Sequence, residues 1–170
     1  DNEAPEITLV GVDPVTIVEG NSYVDQGATA SDNVDGDITA NIATFNPVDV
    51  NTPDSYTVTY DVTDAAGNPA PQVTRTVDVI TAGDAVQNKS DLVIDMELPK
   101  AVETSVTAPL KNAAKLLSDN NPNNDGAACG KLKAFSKEID AKERKGELTT
   151  AQAGLLRDEV TAIQESLGCT

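Results

Sequence analysis

The sequence predicts two domains, an all-β sandwich followed by a small all-α three-helix bundle. Three observations predict it. Short apolar-alternating runs separated by turn residues fill the first eighty positions. From Thr104 onward the apolar period lengthens to three and four. Charge also divides the chain: residues 1–82 hold fourteen Asp or Glu against the single base Arg75, a balance of −13, whereas 83–170 holds fourteen acids against eleven bases, a balance of −3.

The first half reads as strands. Ile7-Thr8-Leu9-Val10 runs to Gly11 and Asp13-Pro14, and Val15-Thr16-Ile17-Val18 ends at Glu19-Gly20. Tyr23 to Ala30 is extended with a break at Gly27, and Ile38 to Phe45 is a weaker strand. The clearest strand is Ser55 to Thr63: Tyr56, Val58, Tyr60 and Val62 alternate with Thr57, Thr59, Asp61 and Thr63, giving one buried and one wet face. Asp64 to Pro69 turns the chain, and Val73 to Ile80 supplies the last strand. Six or seven short strands in this length make a sandwich with an aliphatic core.

Between the two halves, 83–103 reads as a linker. Asp91-Leu92-Val93-Ile94-Asp95-Met96-Glu97-Leu98 alternates, so a strand over 91–98 is expected, either added to the sandwich or donated to a neighbouring subunit. Asn88-Lys89-Ser90 is an N-glycosylation sequon. The disulfide-stapled bundle is expected over 104–170. Leu110, Ala113, Ala114 and Leu117 mark its first helix, with Pro109 in the first turn. Ala128, Leu132, Phe135 and Ile139 mark the second, and Ala153, Leu156, Val160, Ile163 and Leu167 the third, opened by a Thr149/Gln152 capping box. Antiparallel second and third helices place Cys129 and Cys169 at one end, where a disulfide closes a loop of about 40 residues, worth roughly 3–4 kcal/mol in the chain-entropy model. The alternative is two unpaired buried thiols.

Composition excludes several functions. There is no histidine, so His-based triads and His zinc sites are ruled out, and two cysteines make a poor zinc site. An enzyme is not expected. A field this negative repels phosphate backbones and anionic membranes, and no apolar run approaches bilayer length, so neither nucleic acid nor membrane insertion is expected. The opening Asp1-Asn2-Glu3-Ala4-Pro5 reads as a processed boundary, with any export signal outside this chain.

The acidic turn Ser31-Asp32-Asn33-Val34-Asp35-Gly36-Asp37 is the candidate binding feature. Calcium takes six to eight oxygens, several of them carboxylates. Asp32, Asp35 and Asp37 offer three, with Asp64 and Asn68 from a second loop as company. The alternative is a solvated Asx-type turn closed by its own backbone. Asp1 to Pro5 is similar to the acidic linkers of cadherin repeats. Asp119 to Gly126 mimics a calcium loop, but Leu132 stands where the bidentate Glu belongs, so it reads as a helix-breaking turn. The bases of the second helix (Lys131, Lys133, Lys137, Lys142, Arg144, Lys145) read as its wet face.

Two resemblances add to this. Ala4-Pro5-Glu6-Ile7-Thr8-Leu9, Gly20 to Ala28, Asp32-Asn33-Val34-Asp35-Gly36-Asp37-Ile38-Thr39, Tyr56 to Tyr60 and Asp64-Ala65-Ala66-Gly67-Asn68 together resemble the immunoglobulin-like repeat of prokaryotic surface proteins and some pesticidal crystal proteins. Ala127 to Phe135, Ile139 to Lys142 and Gly146 to Ala153 resemble the FIMAH-type helical domain of secreted prokaryotic proteins. The resemblances imply an extracellular or cell-surface structural or adhesive module. Its partners would be other domains of the same surface protein or identical subunits, with a protein or glycan ligand as a further option. Two alternatives stand beside it: a filament or surface-layer subunit assembled by strand exchange, and an accessory region of a secreted hydrolase.

Overall fold

A computed structural model describes residues 1–118, 121–158 and 160–169. Seven strands come first: β1 Glu6–Leu9, β2 Val15–Val18, β3 Ala28–Asp32, β4 Gly36–Asp37, β5 Ala43–Phe45, β6 Asp54–Asp61 and β7 Val73–Ile80. They form two sheets, ordered β1-β3-β4 and β2-β7-β6-β5. The fold is therefore an immunoglobulin-like sandwich followed by a helical part.

The alternation in β6 works as its composition dictates. Val58 and Tyr60 point inward and are buried, with Thr57 outward, and β7 answers with Arg75, Val77 and Val79 facing in. Ile7 and Ala30 from the first sheet pack with Ile17, Val58, Tyr60 and Val77 from the second, and Ile38 and Val62 complete this core. Ile38–Phe45 is not one strand. It is split by a 3-10 turn at Thr39–Asn41, where Thr39 turns its hydroxyl onto the Ala30 backbone.

The β6–β7 register sets the two ends of the sandwich. Tyr60 pairs with Val73 at one end and Asp54 with Val79 at the other. At roughly 3.3 Å per residue these ends lie about 20 Å apart.

The second compact unit comprises Val18–Asn21 and the chain from Ile80 onward. It corrects the expected linker and donor strand. Residues 82–95 form helix α1 (Ala82–Asp95), so 91–98 is not a strand. Its buried residues are Ala82, Ala85, Val86, Lys89, Ser90 and Val93, a helical stripe. The period-two pattern of Leu92, Ile94, Met96 and Leu98 was coincidental: Val93 is buried while Ile94 is exposed. Thr81 caps the helix, its hydroxyl accepting from Asp84 N at 3.0 Å. The sequon Asn88-Lys89-Ser90 lies inside α1 with Ser90 buried.

Four more helices follow among the described residues, where three were expected: α2 Lys100–Leu117, α3 Asp125–Arg144, α4 Thr150–Arg157 and α5 Val160–Ser166. Helix α2 begins at Lys100, which puts Pro109 inside it rather than in its first turn. The predicted third helix is two, because Asp158 takes extended angles (φ −56, ψ 141) and stops α4. The Thr149/Gln152 capping box is present. Leu110, Ala113, Leu132, Phe135, Ile139, Ala153, Leu156, Val160 and Ile163 all lie in one core, together with Val86, Val93 and Val106 of α1 and α2. Cys129 and Cys169 are joined in a disulfide, Cα–Cα 5.6 Å. Positions 119 and 120 of the calcium-loop mimic lie outside the described residues; Pro122–Asn124 forms a 3-10 turn capped by the Asn121 side chain. No helix among the described residues is long and apolar enough to cross a membrane.

Candidate metal centre

The hairpin turn between β3 and β4 presents the acidic motif. Asp32 closes that turn: its Oδ1 accepts from Val34 N and Asp35 N, both at 2.9 Å. Those two donors stabilise the charged form, so its carboxyl is held below the usual aspartate range, although the neighbouring Asp64 charge pushes the other way. Asp32 Oδ2 is buried without a protein partner. That leaves one oxygen of an ionised group for something else to satisfy.

Asp64 follows β6 in a tight loop closed by Gly67 and Asn68. It is only 7 % exposed and accepts from Asn68 N and Asn68 Nδ2, each at 2.7 Å. Burial works against its charge, but the Asn68 donors and the loop N–H groups outweigh burial and keep its pKa low. The third member is Asp1. One carboxylate oxygen from each of Asp1, Asp32 and Asp64 lies within 4.8 Å of the others. A cleft of about 290 Å³ beside Asp32 is lined by Glu3, Ala4, Glu6, Ser31, Asp32 and Asn33, and Asn33 Nδ2 donates to Glu3.

The structure thus sorts the expected ligand set. Asp32 and Asp64 converge. Asp35 bridges to the second loop by accepting from Ala65 N at 2.8 Å, and Asp37 accepts from Thr39 N at 3.0 Å. Asn68 donates its side-chain amide to Asp64 at 2.7 Å. Asp1 lies far from the turn in sequence; nothing in the local sequence shows that the β1–β3 register, Glu6 opposite Ser31, carries the leading segment alongside Asp32.

Arg75, the sandwich's one base, is not at this turn. It occupies an inward position of β7, 1 % exposed, and pairs with Asp25. Its guanidinium also donates to Tyr60 Oη at 3.0 Å and to the Gly27 and Val10 carbonyls. Among the described residues the Asp1–Asp32–Asp64 cluster has no cationic side chain in a recorded ion pair with it.

Comparison with protein families agrees with the sandwich. Residues 7–79 match the family model described as Bacterial surface protein, Ig-like domain. An Outer cell wall protein of Brevibacillus brevis (strain 47 / JCM 6285 / NBRC 100599) is 36 % identical over 96 residues, which cover 47 % of this chain and 10 % of that protein. The chain therefore spans about a tenth of the curated relative it matches. Among solved structures, a lipoprotein from Bacteroides thetaiotaomicron is 30 % identical over 45 % of this chain and 38 % of its own, TM-score 0.41. A structure of the CBM51-2 and INT domains of Clostridium perfringens ZmpB with GlcNAc is 28 % identical over 45 % of this chain and 16 % of its own, TM-score 0.37.

Proposed function

We propose that this chain is a non-enzymatic structural module of a bacterial cell-surface protein, its sandwich acting as a spacer stiffened by a divalent cation. One observation supports it most. The chain enters the sandwich at the end that carries Asp64 and leaves it through Val79 at the far end of the same β6–β7 pair. A domain entered and left at opposite ends adds its length to whatever it links. The Ig-like surface-family match over 7–79 and the likeness to a cell wall protein agree with a surface location. A disulfide agrees with an oxidising compartment.

Calcium is the cation the donor set fits: hard carboxylate oxygens, without histidine or thiolate at the site. Asp1, Asp32 and Asp64 would hold it, with the orphaned Asp32 Oδ2 as one ligand atom. Its role would be to neutralise three converging charges and pin the leading segment to the β3–β4 turn and the Asp64 loop. Calorimetry of the full chain with calcium and with chelator tests this. A higher melting temperature of the sandwich with calcium is expected, and Asp32→Asn abolishes the difference. Identical melts would reject the cation. Labelling of intact host cells tests location: signal lost on external protease treatment is expected, and a protease-resistant intracellular pool would reject the surface reading.

A further inference from the structure

Helix α5 is short and weakly founded. It has seven residues, Val160–Ser166, with Val160 and Ile163 as its buried side chains. Isolated helices of that length do not persist in water, and the extended Asp158 prevents α4 from propagating into it. After it the chain winds up through Leu167 N to Ile163 O and Cys169 N to Gln164 O (2.8 Å), and then reaches the disulfide on α3. Helix α5 also holds something distant in sequence: Asn21 Nδ2 donates to Ala162 O at 2.9 Å. Asn21 belongs to the segment Val18–Asn21, which is part of the helical unit, with Val18 buried in the helical core.

We propose that the Cys129–Cys169 disulfide is a redox-sensitive latch on α5 and, through Asn21, on the Val18–Asn21 segment. Its reductant is a dithiol. Cys169 is half-buried whereas Cys129 is 8 % exposed, so a thiolate of the dithiol attacks Cys169 Sγ. The protein S–S bond breaks, Cys129 leaves as thiolate and takes a proton, and a mixed disulfide forms at Cys169. The second thiol, once deprotonated, attacks the reductant sulfur of that bond and releases Cys169, which is protonated in turn. The dithiol leaves as a cyclic disulfide, having given two electrons and two protons to the protein. With the loop open, α5 keeps buried Val160 and Ile163 and the partly buried Ala162 and Leu167 as its anchors, and the Ala162 carbonyl that Asn21 grips moves with it.

Amide hydrogen exchange of the full chain, oxidised and after reduction by a dithiol, reads this directly. Opening a loop of this size predicts exchange in α5 faster by about two to three orders of magnitude. The Glu19 and Asn21 amides, bonded to Ile80 O and Val18 O, should quicken with it, while Val58 and Val77 stay unchanged. Asn21→Ala should free the Glu19 and Asn21 amides in the oxidised protein and leave α5 protected. Unchanged exchange in α5 after reduction would overturn the latch, as would collapse of protection throughout α1–α3. A response of Val18–Asn21 to reduction that persists in Asn21→Ala would overturn the coupling.

Discussion

The Arg75 guanidinium is paired with the Asp25 carboxylate in the interior of the sandwich, and Tyr60 Oη donates to both oxygens of that carboxylate at 2.7 and 2.8 Å. Tyr23 Oη adds a further donor at 2.9 Å. Arg75 ties the pair to the backbone at Gly27 and Val10, so one buried ion pair fixes the extended segment before β3 and the end of β1. This explains how a core so poor in aromatics holds a charged residue in β7.

Removing one member strands the other. Asp25→Ala leaves a buried guanidinium without its counter-ion, which costs about 3–5 kcal/mol. Urea denaturation followed by tyrosine near-ultraviolet dichroism measures it. A loss under about 1 kcal/mol would mean that solvent reaches Arg75.

Acid should destabilise the sandwich. Burial alone would raise the Asp25 pKa, but the donors Tyr60, Tyr23 and Arg75 bring it below the ordinary aspartate value of 3.8. Asp32, Asp37 and Asp64 are likewise held low, by backbone or Asn68 donors. Each depressed carboxylate contributes stability that is fully present above its unfolded pKa and is lost as pH falls through the folded one. Stability of the sandwich should therefore be flat down to about pH 5 and fall progressively below about pH 4. A pH series of melts that starts declining near neutrality would contradict this set of groups.

The helix at 82–95 makes an opposed pair of expectations with a strand. Val93 is 0 % exposed and Ile94 45 % exposed. Val93→Ala should lower stability by about 1–3 kcal/mol through the lost methyls and the cavity left behind. Ile94→Ala should change it by less than about 0.5 kcal/mol. Were 91–98 a strand with Ile94 on its buried face, the two results would exchange places.

Strands β2 and β7 were legible to the residue because apolar and polar positions alternate there and turn residues bound them. The stripes at Ala128, Leu132, Phe135, Ile139 and at Ala153 to Ile163 were equally plain. Helix α1 was hidden for physical reasons. Its buried face is made of Ala, Lys and Ser as well as Val, Gly83 and Asp84 resemble a break, and the Thr81 cap is visible only once the helix is known. In the candidate site, Asp32 and Asp64 could be nominated from turn chemistry. Asp1 could not, since it arrives through the pairing of β1 with β3. Nor could the interior role of Arg75, which depends on which face of β7 turns inward.

Pulling the full chain by its two ends in a force spectrometer, with calcium and then with chelator, tests the spacer most directly. Residues 7–79 should open as one event releasing roughly 230 Å of chain, at about 3.5 Å per residue less the folded span. The opening force should be higher with calcium, and Asp32→Asn should make the two conditions equal. A sandwich that yields gradually without a discrete event, at the same low force with or without calcium, would contradict a cation-stiffened spacer.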